Sequence, residues 1–344
     1  MGVLLTPIII KKTLTLGDLR GRSFAVDAFN VLHQFLALIR TRDGAPLTDA
    51  DGHVTSHLVG LAFRTTRLIS DYGMRLVFVF DGQPPTLKSG EVVKRREARK
   101  KAEQEYQEAL SRGDVAEAYS KAVMTGRLTG EAIMDAKRLL TLLGIPWVQA
   151  PGEGEAQAAY IARRGHVWAA NSRDYDCLLF GSPRLVRYLT ISGEEWLPSK
   201  DRSRKLEPEL IELETLLSQL EINREQLIDA SILVGTDFNP GVKGIGPKTA
   251  LKLIKSHGSI EALPKDIRER VTPQYLAVRA VYLRPDVTAE YDVSLGALQE
   301  DELKTFLCGE RSFSEERVDT LIERMRHALS QRSLSEYIGG GKDT

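Results

Sequence analysis

The sequence predicts an α/β fold: a central, mostly parallel sheet with helices on both faces, followed by a mainly helical C-terminal part. Three observations predict it. Five short segments are apolar nearly throughout rather than alternating, as strands covered on both faces are. Segments with helical periodicity separate them, which is the pattern of parallel strands joined by crossover helices. From about residue 207 onward the helical pattern dominates.

Each element follows in chain order. The opening "MGVLLTPIIIKK" has a short apolar stretch whose charges come after it, unlike a signal peptide. Its Gly2 and Thr6 match the myristoylation pattern, but a structural or functional role for this terminus is the preferred reading. "SFAVDAF" (23–29) is the first strand, "HLVGLAFRTTRLISDYG" a helix, and "RLVFVFDG" (75–82) the second strand. Residues 88 to about 122 are charged, helix-forming and poor in apolar anchors, which alone reads as a solvated surface helix pair. "TGEAIMDAKRLLTLLG" is a helix with Gly144 as its C-cap, leading into the third strand, "IPWVQAP" (145–151). "EGEAQAAYIARRG" is the next helix, ending at Gly165, and "HVWAANS" (166–172) and "RLVRYLT" (184–190) complete the five strands. The closing "GGGKDT" is expected to be disordered.

Composition narrows the class. A chain of 344 residues with 42% hydrophobic content has ample material for one large domain or two moderate ones. Lys plus Arg and Asp plus Glu both total 47, so no overall charge favours a polyanion, although a balanced sum hides patches. Two cysteines, Cys177 and Cys308, make no disulfide framework and suggest a reducing, intracellular compartment. No run approaches the roughly 18 apolar residues of a membrane helix.

The acids carry the functional argument. In an open α/β sheet, ligands bind beyond the carboxyl ends of the strands, and here those ends collect carboxylates. Asp27 closes the first strand, Asp81 the second, Glu153 and Glu155 follow the third, and Asp174 and Asp176 follow the fourth. Singly, each has a structural reading: a turn at Asp81-Gly82, a helix N-terminus at Glu153 and Glu155, an N-cap at Asp174. Together they crowd one sheet edge, joined by Asp237 in "LVGTDFNPG" if the fold returns it there. Crowded carboxylates raise one another's pKa and call for cations between them. No histidine or cysteine cluster has zinc spacing, and oxygen donors suit Mg²⁺ or Mn²⁺. Two ions about 4 Å apart would serve in-line displacement at phosphorus, so the inferred chemistry is phosphodiester hydrolysis.

Basic residues lie beside the acids. Lys88 and Arg95 are seven apart and would share one face of a continuous helix, where they could stabilise charge on a phosphate. In "GVKGIGPKTALKLI" (241–254), Gly244 and Gly246 make a tight turn before a helix opened by Pro247, Lys248 and Thr249, with Lys243 alongside. This reads as a helix–hairpin–helix phosphate clamp, with a plain glycine-rich connection as the alternative.

These pieces resemble the structure-specific 5′ nucleases of the XPG type, most closely the archaeal-type flap endonucleases. The resemblance rests on "VDAFN", "TSHLVGLAFRT", "VFVFDGQPPTLK", "APGEGEAQAAY", "SRDYDCLLFGSPRLVR" and "LVGTDFNPGVKGIGPKTA" in this order, and covers nearly the whole chain. It implies a Mg²⁺-dependent endonuclease cutting 5′ flaps at single-strand/double-strand DNA junctions, with 5′–3′ exonuclease activity, in lagging-strand maturation and long-patch base excision repair. It places Asp27, Asp81, Glu153 and Glu155 at a first metal and Asp174, Asp176 and Asp237 at a second. Lys88 and Arg95 fall on a gateway helix. Gly2, His33, Arg40, Arg64, Gly235 and the residues of the 243–249 turn fall on DNA-contacting positions, as do Glu153 and Asp237. The implied organisation is an N-terminal nuclease region (1–101), a helical arch (83–130), an internal nuclease region (119–258) with the helix–hairpin–helix at 235–256 and its K⁺, a C-terminal helical region (259–330) and a tail (331–344). In that tail Gln331, Leu334, Tyr337 and Ile338 form a peptide for the sliding clamp (PCNA). The protein is expected to be a monomer, with no membrane partner, in the cytoplasm or nucleoid if archaeal.

The chain departs from that family at three places. His33 replaces a Tyr that stacks on a base, a contact an imidazole can also make. "NPGVKGIG" is one residue shorter than the common archaeal form, and Ile338 replaces the second aromatic of the clamp peptide. The readings weighed against a flap endonuclease are a repair-incision or exonuclease branch of the same superfamily, a catalytically silent DNA-binding scaffold, and a phosphotransferase on small substrates.

Overall fold

Alternate residues of the two central strands face opposite sides, so the chain builds two cores on one sheet. Ala25, Val77 and Val79 face one core, and Phe24, Val26, Leu76, Phe78 and Phe80 face the other. This is the period-2 consequence of strand geometry, with both faces buried as parallel sheets require. The computed structural model describes residues 2–41, 44–114, 117, 121, 128–191, 193–197 and 202–339.

The predicted strands are all present and shorter than expected: β2 (Ser23–Asp27), β3 (Arg75–Phe80), β4 (Trp147–Gln149), β5 (Ala169–Asn171) and β6 (Arg184–Arg187). With β1 (Lys12–Thr13) and β9 (Glu209–Glu212) they form a seven-stranded sheet in the order β1-β9-β6-β5-β2-β3-β4. The four pairings among these five strands are parallel, while β9 pairs β6, and β1 pairs β9, antiparallel. A separate hairpin joins β7 (Gly193–Leu197) and β8 (Arg202–Leu206). The chain is therefore not purely helical after residue 207: β9 returns to the sheet first. The register sets the site. Val26 sits opposite both Phe78 and Asn171, and Phe80 opposite Gln149, so the strand ends line up along one edge.

Helices cover each face. Gly154–Arg163, Arg224–Val234, Pro247–His257 and Tyr275–Leu283 contribute Ala158, Leu227, Ala250 and Tyr282 to one core. Ala28–Leu38, Gly130–Leu142 and the first part of Glu315–Gly339 contribute Phe35, Leu139 and Leu321 to the other. The predicted helix over 57–73 forms from Ser56 to Tyr72, but its middle, Gly60–Thr65, winds as a π turn. Gly144, with φ +68°, lies one residue beyond the cap of Gly130–Leu142.

The charged stretch after Lys88 forms the helix Ser89–Ser111. Most of 115–127, the rest of the expected arch, lies outside the described residues, as does the expected disordered end 340–344. The clamp-peptide positions Gln331, Leu334, Tyr337 and Ile338 fall on the helix Glu315–Gly339, their side chains outside the described set. No helix among the described residues is long and apolar enough to cross a membrane.

Candidate active site

The seven acids reach one edge of the sheet from different elements, and each is tied down by a neighbour. Asp27 ends β2 and caps the helix that follows: its Oδ1 accepts the Asn30 backbone N–H at 3.0 Å and its Oδ2 the Ser172 hydroxyl at 3.1 Å. The Asp81 Oδ1 accepts the backbone N–H of Gly154 at 2.6 Å. Asp174 accepts from the Asn30 side chain at 3.3 Å, and its own N–H donates to Ser172 Oγ at 3.2 Å. Asp174 is not an N-cap as one sequence reading has it. The next short helix runs Asp176–Leu179 with Tyr175 at the cap, and the capping acid is Asp27. Asp176 accepts the Tyr282 hydroxyl at 2.8 Å on Oδ1 and the Val3 N–H at 3.3 Å on Oδ2.

Charge crowding shows in the proton affinities. Burial, then the charges of Asp81 and Asp174, pushes Asp27 up to about 8. Burial, then Asp237 and Asp174, pushes Asp176 up to about 7. Glu155 is held well above the usual carboxylate range by burial and by Asp176, Asp27 and Asp174. Burial raises Glu153 as well, with Lys88 pulling against it and Asp81 and Asp237 reinforcing it. These cross-influences link the acids electrostatically, and Asp237, 3.7 Å from the Lys88 ammonium that also pairs with Glu153, lies at the same edge. The Cys177 thiol donates to Glu155 at 3.7 Å, and burial beside that acid pushes it well up, so it stays a thiol.

One cation already sits inside this cluster. The Lys88 ammonium pairs with Glu153 and lies 3.7 Å from Asp237. Burial alone would lower its pKa, but Glu153, Asp237 and Asp81 outweigh that and hold it above its ordinary value. Lys88 closes a 3-10 turn, Thr86–Lys88, and the helix begins at Ser89. The seven-residue spacing to Arg95 therefore does not run along one α-helix, and the Arg95 side chain lies outside the described residues. A cleft of about 560 Å³, lined by Leu87, Glu153, Ala156, Phe180, Val281 and Arg284, opens beside this pair.

Gly2 completes the cluster by close approach. A Cβ there would fall 1.9 Å from Asp176 Oδ2 and 2.8 Å from the Asp174 Cβ, so only glycine fits. The remaining expected contact residues lie on other elements. His33 is on the helix of Asn30, one turn on. Arg40 donates to the Gly44 carbonyl at 2.8 Å, and Arg64 sits in the π turn. Gly235, with φ +109°, ends Arg224–Val234 at a spot where a Cβ would stand 2.9 Å from the Pro240 carbonyl. Beyond it Lys243, Gly244, Gly246, Lys248 and Thr249 are exposed at the start of Pro247–His257. That helix packs on Arg224–Val234 across this glycine-rich turn.

Sequence reasoning missed the residues that hold the acids. Asn30 and Ser172 had a local signal, lying three residues after Asp27 and two before Asp174. Tyr282 and Arg187 had none. Arg187 is buried and donates to the Arg173 carbonyl at 2.8 Å, the Tyr175 hydroxyl at 2.7 Å and Glu209 at 3.0 Å, bracing the acid loop from β6.

The donor set suits a hard divalent cation: every donor is oxygen, and burial with mutual repulsion makes these carboxylates costly as anions unless a cation joins them. Among the described residues, however, no three of the His, Cys, Asp or Glu side chains close around one point as ligands would. The acids converge as a charge cluster, not as a closed coordination shell.

Residues 1–102 match the XPG N-terminal domain and residues 144–237 the XPG I-region. The chain is 47% identical over 328 residues to flap endonuclease 1 of Ignicoccus hospitalis, covering 95% of this chain and 93% of that one. It is 48% identical to flap endonuclease 1 of Pyrococcus abyssi, covering 96% and 95%. The solved flap endonuclease-1 from Methanococcus jannaschii superposes with a TM-score of 0.77 at 38% identity, covering 96% of this chain and all of that one. The catalytic core of Rad2 in complex with DNA substrate shares the fold, with a TM-score of 0.67 at 24% identity over 93% and 97% of the two chains.

Proposed function

Because the chain belongs to the flap endonucleases of the XPG family, we propose that it is a structure-specific nuclease that hydrolyses branched DNA at the base of a 5′ flap, with 5′–3′ exonuclease activity at nicks and gaps. The observation that carries this reading is the gathering of seven carboxylates and Lys88 at the carboxyl edge of the sheet.

By their donor chemistry, Asp27, Asp81, Glu153 and Glu155 would hold one Mg²⁺ and Asp174, Asp176 and Asp237 a second, with Mn²⁺ as a substitute. When bound, the two ions would supply Lewis-acid stabilisation to the attacking and departing oxygens of an in-line displacement at phosphorus. The chain's own groups do the rest. Asn30, Ser172 and the Val3 N–H orient the acids. Lys88, held between Glu153 and Asp237, would trade a carboxylate for a phosphate oxygen as substrate arrives and stabilise the charge that develops there. Arg95 would extend that contact along the gateway helix. Exposed Lys243, Lys248 and Thr249 would hold duplex backbone at the Gly244–Gly246 turn, with K⁺. Gly2, His33, Arg40, Arg64 and Gly235 would line the path of the DNA.

In the cell this activity suits lagging-strand maturation and long-patch base excision repair. A monomer tethered to the sliding clamp through Gln331, Leu334, Tyr337 and Ile338 would perform it. The test is a cleavage panel in Mg²⁺: a 5′-flap duplex beside a Y-fork, a Holliday junction and linear duplex. Preferred cutting at the flap base is expected. Preferred resolution of the junction, or binding without cutting in Mg²⁺ or Mn²⁺, would overturn the reading.

A further inference from the structure

Tyr282 sits where the two loops of the second acid group meet. It is fully buried in the helix Tyr275–Leu283. Its ring packs between Phe180, at 4.9 Å, and Phe238, at 5.4 Å. Phe180 lies four residues after Asp176 and Phe238 directly follows Asp237, so one ring spans both acid-bearing segments. Its hydroxyl donates to Asp176 Oδ1 at 2.8 Å. The helix is itself fixed one turn earlier: Arg279 donates to both oxygens of Asp229, at 2.7 and 2.8 Å, and to Glu261 at 2.8 and 3.1 Å. Asp229 lies in the helix whose end leads to Asp237.

We infer that Tyr282 is a positioning residue for the second metal site, one whose hydroxyl commits Asp176 Oδ1 and leaves Oδ2 as its only ligating oxygen. The inference rests on the proposed metal-binding role of the acids. The physical argument is geometric. A free carboxylate can turn either oxygen, or both, to a cation. Asp176 cannot, because rotating it breaks a buried hydrogen bond to a charged acceptor. Its Oδ2 faces the N-terminal segment beside Gly2, where the Val3 N–H donates to it. An outer hydrogen bond that fixes a ligand's orientation is worth roughly 10–100-fold in metal affinity.

The test uses Tyr282→Phe, which keeps the ring and its packing and removes only the hydroxyl. Mn²⁺ is titrated into the full chain without DNA and free Mn²⁺ is read by EPR. Wild type is expected to bind, and Tyr282→Phe to bind at least about 10-fold more weakly at an unchanged thermal midpoint and unchanged flap affinity. Cutting by the variant should recover as Mg²⁺ is raised, so that the half-saturating Mg²⁺ shifts while the limiting rate does not. In an Asp176→Asn background, adding Tyr282→Phe should change Mn²⁺ affinity less than about twofold, because the two act through one contact. That cycle also decides the matter if Tyr282→Phe lowers the thermal midpoint. Equal Mn²⁺ affinities in wild type and Tyr282→Phe, or an undiminished effect in the Asp176→Asn background, would overturn the inference while leaving the metal role standing. A wild type that binds no Mn²⁺ overturns both.

Discussion

The carboxylate of Asp81 accepts the backbone N–H of Gly154 at 2.6 Å, so the acid at the end of β3 anchors the helix that presents Glu153 and Glu155. Asp81 therefore has a structural and a chemical task on the same side chain, and substitution separates them. Asp81→Asn keeps an acceptor for Gly154 and loses the charge. It should fold with near-normal stability and lose flap cutting. Asp81→Ala should lose cutting as well and cost a further ~1 kcal/mol, as for a lost helix cap. Chemical denaturation of the two variants side by side checks the difference.

Gly2 gives a second separation. A methyl at this position would overlap Asp176 and press on Asp174. Gly2→Ala is expected to lower the cutting rate at least about tenfold, since a small misplacement of reacting groups is costly, while flap affinity and thermal midpoint stay near wild type. Single-turnover cleavage with parallel binding measurements reads this. Equal rates would remove Gly2 from the site.

The buried ion pair behind the site predicts a stability effect. Arg279 grips Asp229, which is almost fully buried, and Glu261 at the surface. Arg279→Met strands the Asp229 charge and should destabilise the fold by about 3 kcal/mol. Arg279→Lys should recover part of that loss. Urea denaturation measures both.

His57 predicts how stability depends on pH. It is buried in the helix Ser56–Val59, and burial, with Arg311 nearby, pulls its imidazole down to about 4, against the opposing pull of Asp135. An unfolded chain takes up this proton near pH 6.5. Between these values the unfolded state binds more protons, so stability is full above about pH 6.5 and falls as pH drops toward 4. The loss attributable to His57 is at most about 3 kcal/mol at pH 4. His57→Gln should flatten the stability profile over that window, as followed by denaturation at a series of pH values.

The sequence made the five central strands legible because both their faces are buried, and uninterrupted apolar runs such as Leu76–Phe80 leave little ambiguity. It did not reveal β1 and β9. Lys12 and Thr13 are both exposed and Glu209–Glu212 is half polar, so their strand form comes from edge pairing to each other and to β6 and not from a local pattern. The acids were legible because strand ends in this fold class are where ligands sit. Their supports were not. Tyr282 stands 106 residues from Asp176, and Arg187 reads locally as an ordinary strand residue; only packing gives either a partner. Lys88 was read onto the helix, whereas the turn Thr86–Lys88 ahead of it aims the ammonium at Glu153 and Asp237.

The central claim is that this carboxylate cluster cuts DNA and does not merely bind it. The most direct measurement is the single-turnover cleavage rate of a 5′-flap duplex in Mg²⁺ for wild type, Asp174→Ala and Asp176→Ala, with flap affinity measured alongside. Both variants should bind the flap within about threefold of wild type and cut at least ~100-fold more slowly, the scale of losing a charge-stabilising group from a reacting centre. Normal cutting by either variant would contradict the assignment of these acids to the chemistry.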